Sequence, residues 1–477
     1  MSDGPANASS NANHDDGGTE HFDVIIIGTG SGNSILTPDY DSLKVAIVER
    51  DVFGGTCLNR GCIPTKMFVY AADVAQTIDH ASTYGIDATV DKVRWPDIVD
   101  RVFGRIDPIP PGGLAYRQGA ANTTVFEGVA KFAGPKELTI ALNAGGVRRI
   151  SGRNIVIAAG ARPMIPDVEG LEDVEYHTSD TIMRLPSLPE RLIVIGAGYI
   201  ATEMAHVFGA LGSRVTIINR SGRFLSREDE AVSHRFTEVY QDRFECHMNA
   251  RFERVSQAGP GGEIIVRVHS EGRHIDVVGD ALLVATGRVP NGDELGLTDA
   301  GITVDDLGYV VTDPHLRTNI EGVWALGDVS NENQLKHVAN AEAKIVAHNV
   351  VHPDDLRAVD LFPVPHAVFA GPHVASVGAT EQMLRHIGKH YITATQNYGD
   401  VAYGWAMEDT QHFCKIIADP DTRLILGAHI IGPQSSILIQ QLIQGMRFGQ
   451  TVDQIAREQL WIHPSLTEVV ENALLKL

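Results

Sequence analysis

Cysteine is scarce in this chain: four among 477 residues, at positions 57, 62, 246 and 414. Four is too few for a disulfide framework at this size, and Cys246 and Cys414 lack the further ligands at matching spacing that a zinc site needs. No metal is therefore expected. Basic residues are short as well. Only 39 Lys and Arg stand against 60 Asp and Glu, a formal net charge of −21, which argues against nucleic acid and anionic membrane as partners. An anionic ligand would have to be met by local cations or helix N-termini. No apolar run approaches the ~20 residues of a membrane-spanning helix. The first stretch, Met1–Glu20, is rich in Asn, Ser, Asp and Gly without an apolar signal core, so it reads as a disordered tail and the cytoplasm is the expected location.

What remains is an ordinary globular composition, 43% hydrophobic with 47 glycines and 22 prolines, long enough for about three domains. Two of the cysteines stand close together in Gly54-Gly55-Thr56-Cys57-Leu58-Asn59-Arg60-Gly61-Cys62-Ile63-Pro64-Thr65-Lys66. In a reducing compartment such a pair points to a disulfide that opens and closes as chemistry. A bridge needs Cα atoms within roughly 4.4–6.8 Å, whereas the extended segment would span about 17 Å, so it must coil, which its glycines permit. Pro64 suits the first turn of a helix from Thr65 to about Ile78. Cys62 would then lie near the positive end of a helix dipole, with Lys66 adding charge, and both favour a thiolate. On spacing alone an inert buried pair stays open.

Two segments have the layout of nucleotide-binding units. Val24-Ile25-Ile26-Ile27 reads as a buried parallel strand running into Gly28-Thr29-Gly30-Ser31-Gly32-Asn33 and then a helix, an arrangement that holds a diphosphate on backbone N–H groups. A second strand, Val45-Ala46-Ile47-Val48, ends in Glu49, placed where a ribose-binding carboxylate is expected. The third glycine of the fingerprint is replaced by Asn33, which predicts looser helix–strand packing there. The pattern recurs at Leu192-Ile193-Val194-Ile195, Gly196-Ala197-Gly198-Tyr199-Ile200-Ala201 and a helix through Leu211. The following strand, Val215–Ile218, carries no acid at its tip but Asn219, with Arg220 and Arg223 just beyond. Two arginines and no carboxylate suit a 2′-phosphate, hence NADPH over NADH; two solvated loop arginines are the plainer alternative. Two nucleotide units and a redox disulfide make a flavin a useful intermediary, and Gly327-Asp328 after an apolar strand offers an acid for its polyol.

The order of these motifs, closed by His463-Pro464-Ser465-Leu466-Thr467-Glu468, resembles that of the flavoprotein disulfide reductases, over nearly all of His21–Leu477. The variants Gly28-Thr29-Gly30-Ser31-Gly32-Asn33-Ser34, Met67-Phe68-Val69-Tyr70-Ala71-Ala72 and Trp461-Ile462-His463-Pro464 are similar to the branch that acts on mycothiol disulfide (mycothione). The resemblance implies an α/β fold with two Rossmann-like dinucleotide-binding domains and a C-terminal α+β dimerisation domain. Its expected boundaries are 21–162 and 291–360 for FAD, 163–290 for NADPH and 361–477 for the interface. It implies Cys57 as the thiol that attacks substrate, Cys62 as the thiol facing the flavin, and Lys66 paired with Glu203 near the flavin ring. Gly28, Gly30, Ser31, Gly32, Glu49, Gly55, Thr56, Ala130, Gly160, Gly327, Asp328 and Ala339 are the positions it implies for FAD. Gly196, Gly198, Tyr199, Ile200, Arg220, Arg223 and Gly287 are those for NADPH.

His463 suits protonation of a leaving thiolate. Glu468 would fix its tautomer, although Ser465-x-x-Glu468 also spells a capping box for a helix Leu466–Leu475. In this family the histidine serves the partner subunit's site, so a homodimer with shared active sites is expected. Two departures stand out. Ala159 replaces a threonine where the first domain closes, and Leu474–Leu477 brings no extra cysteine pair for a thioredoxin- or mercuric-reductase type relay. Dihydrolipoamide dehydrogenase is the runner-up reading, and a non-catalytic flavin-binding redox sensor the third.

Overall fold

The computed structural model describes residues 18–270 and 272–477. The expected tail lies outside the described residues up to position 17, and its last residue, Glu20, already opens the strand Glu20–Ile27. That strand is apolar and β-branched from Val24 to Ile27 and fully buried there, as a strand covered on both faces must be. It pairs in parallel with Val45–Glu49 on one side and Val147–Ile157 on the other, and Val323–Ala325 adds a further parallel strand. Thr123–Gly134 and Val147–Ile157 are each joined to Glu137–Leu142 by antiparallel ladders, so one sheet carries both patterns.

A second, wholly parallel sheet is built from Arg191–Ile195, Arg214–Ile218, Ala281–Val284 and Glu245–His247. A three-stranded antiparallel sheet, Arg251–Gln257, Ile264–Ser270 and Arg273–Gly279, lies next to it in sequence. The C-terminal part is a five-stranded antiparallel sheet in the order Pro365–Val368, Val374–Gly378, Ile425–Ile431, Phe413–Ala418, Ile392–Asn397, with short helices against it. Among the described residues no helix is long and apolar enough to cross a membrane.

Three elements differ from expectation. The first glycine turn leads into a single 3₁₀ turn, Gly32–Ile35, and no α-helix. The chain is already extended at Leu36 (φ −72°, ψ 92°), and Pro38 keeps Thr37 extended as well (φ −93°, ψ 172°), so no α-helix resumes there. The cysteine helix begins earlier, at Cys62, and runs to Asp79. Pro64 occupies its third position, still among the N–H groups that have no partner in a first turn, so the ring costs nothing. The terminal helix starts one residue late, at Thr467. The helices Cys62–Asp79 and Tyr199–Ala210 are locked by tilted aromatic contacts. Phe68 lies 5.3 Å from Trp95, and Trp95 5.2 Å from Phe208, between ring centroids. That packing brings Lys66 to Glu203.

Candidate active site

The cysteine segment coils as two helices, Gly55–Asn59 and Cys62–Asp79, broken at Arg60-Gly61. Gly54 and Gly55 hold positive φ (103° and 71°), and a Cβ on Gly55 would sit 2.6 Å from Gly30 Cα. The segment's backbone therefore rests on the first glycine turn, and only glycine fits. Both cysteines are thiols in this structure. Cys57 donates its S–H to Cys62, which with the Lys66 charge overcomes burial and lowers the Cys62 thiol to about 6. The same hydrogen bond and burial push Cys57 well above the ordinary thiol range. The pair is electrostatically unequal, with the thiolate at Cys62.

Lys66 Nζ lies 2.7 and 2.8 Å from the two carboxylate oxygens of Glu203, which is almost fully buried. The Phe369 N–H donates to the same carboxylate at 2.9 Å, and Lys66 lies 4.8 Å above the Phe369 ring. One buried carboxylate thus joins the cysteine helix, the second nucleotide unit and the C-terminal sheet.

These groups open onto one long cleft. Of the positions named from sequence, Gly28, Gly30, Ser31, Glu49, Gly55, Thr56, Cys57, Cys62, Lys66, Ala130, Gly160, Tyr199, Ile200, Glu203, Gly327, Asp328 and Ala339 line it. Glu49 closes one end, accepting the Thr29 N–H at 2.9 Å and the Asp51 N–H at 3.0 Å. Asp328 lies further along; burial raises its carboxyl, and Arg288 and Lys336 pull it back. Gly32 sits behind the turn rather than in the cleft. A Cβ there would meet Ala158 Cβ at 2.6 Å and Ile26 Cγ2 at 3.1 Å. The close approach expected of a glycine at position 33 is therefore made at 32, and the packing is tight rather than loose. Asn33 instead accepts Arg117 Nε at 2.8 Å.

The second glycine turn is also built by close approach: a Cβ on Gly196 would lie 2.3 Å from Ala285 O. Gly198 faces open space at the start of the helix Tyr199–Ala210, and Gly287 keeps a positive φ of 134°. Arg223 lines a second cavity with Ser221, Ser226, His234 and Gln241, while Arg220 is exposed at the strand end. Asn219 is buried and donates to Ser221 O and Oγ at 2.9 and 2.7 Å, fixing this loop. At the departure noted in the first domain, Ala159 uses its carbonyl to accept Asn291 Nδ2 at 2.8 Å.

His463 and Glu468 do not line the cleft of their own chain. His463 Nδ1 lies 2.7 Å from Glu468 Oε1, and the other carboxylate oxygen accepts the Ser465 N–H at 3.2 Å. The carboxylate makes the imidazole contact and half of a capping box at once; the Ser465 hydroxyl accepts from Thr467 rather than from Glu468. His463 is 71% exposed, beside exposed Leu460 and Ile462.

Sequence reasoning passed over several residues. Thr29 orders Glu49 and accepts the Gly54 N–H at 2.8 Å. Buried Glu342 accepts the Gly327 N–H at 2.6 Å and so shapes the turn before Asp328. Arg288 and Lys336 line the cleft. Thr29 was within reach of motif reasoning because it stands inside the glycine turn; the others come from distant segments and carry no local signal.

The donor set fits a dinucleotide flavin: two acids, Glu49 and Asp328, a glycine turn, and a cysteine pair with a lysine–glutamate pair, all lining one cleft. The second turn, with open Gly198 and the arginine-bearing loop, fits a phosphorylated pyridine nucleotide.

Comparisons agree with this geometry. Residues 22–344 match the pyridine nucleotide-disulphide oxidoreductase family, and residues 364–474 match the dimerisation domain of that family. The chain is 49% identical to mycothione reductase of Mycobacterium tuberculosis, covering 96% of this chain and all of that one. It is 34% identical to mercuric reductase of Streptomyces lividans, with 94% of each chain covered. The HOCl-induced flavoprotein disulfide reductase RclA from Escherichia coli superimposes with a TM-score of 0.81 at 29% identity, over 95% of this chain and 99% of that one. The chain belongs to the pyridine nucleotide-disulphide oxidoreductases: it is a homodimeric flavoprotein disulfide reductase that uses FAD and NADPH.

Proposed function

We propose that this enzyme reduces mycothiol disulfide, and that Cys57, Cys62 and His463 carry the thiol chemistry. The observation behind the substrate is the 49% identity to a mycothione reductase along virtually the whole chain. The observation behind the roles is the inequality of the two thiols. Burial and the neighbouring Cys62 thiolate keep Cys57 protonated, so its attack on a disulfide needs a base. Nothing lining the cleft of one chain offers an imidazole; exposed His463, brought by the second subunit, supplies it. Cys57 sulfur then bonds one half of the substrate, and the other half leaves as a thiolate that takes the proton from His463. The Cys62 thiolate next attacks Cys57 sulfur, releases the second half as a thiolate that takes a proton from water, and leaves a Cys57–Cys62 disulfide. Bound FAD would pass to that disulfide the electron pair that NADPH supplies, which restores the dithiol.

Lys66 and Glu203 hold the charge beside Cys62, and Glu468 orients His463. Glu49 and Asp328 would receive the sugar and polyol ends of FAD, and Arg220 and Arg223 the 2′-phosphate of NADPH. We assign residues 21–162 and 291–360 to the FAD-binding domain, 163–290 to the NADPH-binding domain and 361–477 to the dimer interface. The protein works in the cytoplasm, away from membranes.

The test is turnover of purified enzyme against mycothiol disulfide, lipoamide and glutathione disulfide, each with NADPH and with NADH. Mycothiol disulfide with NADPH should exceed the other pairs by at least about tenfold in kcat/KM, roughly 1.4 kcal/mol of transition-state discrimination. Lipoamide with NAD(H) as the better pair would overturn the assignment in favour of dihydrolipoamide dehydrogenase.

A further inference from the structure

The two glycine turns in this chain are not equivalent. The second runs into a twelve-residue helix, Tyr199–Ala210, whose N-terminus carries the partial positive charge that ordinarily faces a diphosphate. The first runs into a four-residue 3₁₀ turn, Gly32–Ile35, too short to build a comparable dipole. Cations reach the first turn instead. Lys336, at the start of the helix Lys336–Val351, places Nζ 2.9 Å from Ser31 Oγ and lines the cleft. From the other side Arg117 donates to Asn33 Oδ1 and Asn33 O, both at 2.8 Å.

Of the other cations lining the cleft, Arg288 has no ion pair among the described residues and donates to Ala161 O, and the rest are matched. Arg50 pairs with Glu294, Arg60 with Asp51, Lys66 with Glu203 and Arg162 with Asp293. Among the described residues, neither Lys336 nor Arg117 has a carboxylate at ion-pair distance. In a chain of net charge −21, two cations without an ion pair gather on one six-residue turn, Lys336 meeting Asp328 only at longer range and Arg117 spending its donors on Asn33, and this favours an anion there.

We propose that Lys336 is a diphosphate-binding residue for FAD and that, with Arg117 holding the turn, it replaces the helix dipole that the first nucleotide unit lacks. The second turn is the internal control: it keeps its helix, and no lysine or arginine is bonded to Gly196–Ala201 among the described residues. The inference concerns cofactor capture and does not depend on which disulfide is reduced.

The experiment measures FAD binding to deflavinated protein by quenching of flavin fluorescence, over a series of salt concentrations. Lys336→Gln should raise the FAD dissociation constant by about 10- to 100-fold, the loss of one charge-assisted contact, and should flatten its salt dependence. Lys336→Arg should hold it within a few-fold of the wild type. Inorganic diphosphate should compete with FAD less well in the Gln variant. A dissociation constant within twofold of wild type in Lys336→Gln, or an unchanged salt slope, overturns the proposal. So does equal weakening in the Arg variant, which would mark the lysine as a steric rather than an electrostatic element. Should Lys336→Gln not fold, Lys336→Met and the diphosphate competition on wild-type apoprotein decide instead.

Discussion

At the scale of residues, the proposed chemistry rests on an asymmetry between two thiols five positions apart. Cys62 owes its acidity first to the hydrogen bond from Cys57 and then to the charge of Lys66, both acting against burial. Replacing Lys66 with Met removes a cation beside a thiolate, so the Cys62 pKa must rise from about 6 toward the ordinary range near 8.5. Ultraviolet absorbance of the thiolate followed against pH in the reduced enzyme measures the shift; a curve that stays in place would refute the arrangement. Much of this site is legible in the sequence because Cys57, Cys62 and Lys66 are close neighbours along the chain and their spacing implies their contact. Glu203 is 137 positions from Lys66, and only resemblance to a family brought the two together. Lys336, Arg288 and Glu342 were not legible: a lysine or a glutamate on a helix reads as a solvated face until the fold shows which wall it stands against.

At the scale of elements, the first nucleotide unit shows how a familiar pattern can be met by different parts. The strand, the glycines and Glu49 stand where the motif predicts, because buried apolar runs and positive-φ turns are written locally. The helix fails because the chain is extended from Leu36 and Pro38 keeps it so at Thr37, a proline the motif reading did not weigh. The glycine that packs against the sheet is Gly32, one place before the fingerprint position. Gly32→Ala should therefore lower stability by about 1–3 kcal/mol through overpacking against Ala158 and Ile26, read as a lower urea midpoint with unchanged slope. Asn33→Gly, the motif's own residue, should also destabilise, by about 1 kcal/mol, because it gives up a bond to Arg117. A neutral Gly32→Ala would place the close approach elsewhere.

At the scale of the whole molecule, the second nucleotide unit is fastened to the C-terminal sheet by polar contacts rather than by apolar packing alone. Glu228 meets His366 Nε2 at 2.7 Å, and adjacent Asp229 takes Lys415 Nζ at 2.8 Å, with Glu381, Ser376 and His429 around them. Burial opposes the charge on Glu228, yet His366 and Ser376 hold its carboxyl below the usual range. Burial likewise opposes the imidazolium of His366, and Glu228 overrides it and raises the pKa.

The signs fix the pH window. The carboxylate contribution is lost as pH falls through the lowered Glu228 value. The imidazolium contribution is complete below the unfolded histidine pKa, about 6.5, and is lost as pH rises through the raised His366 value. Glu228→Gln should thus cost most at about pH 6 and progressively less at about pH 9. Because His366 is partly open to solvent, we expect roughly 1–2 kcal/mol, short of the ~3–5 for a fully buried pair. Thermal melts of both proteins across that range measure it, and a gap that is constant with pH would contradict the assignment.

The backbone N–H of Phe369 has a consequence that reaches beyond its own bond. Phe369 follows the first strand of the C-terminal sheet, and its N–H is bound to the carboxylate that neutralises Lys66. A displacement of that sheet that breaks the bond leaves Glu203 with one donor fewer and a stronger claim on Lys66. The position of that strand and the acidity of the thiol are then two faces of one equilibrium. Whatever shifts that strand end against Glu203 alters the ionisation of Cys62, and a change in the charge of Cys62 alters the strand's hold on Glu203 by the same free energy.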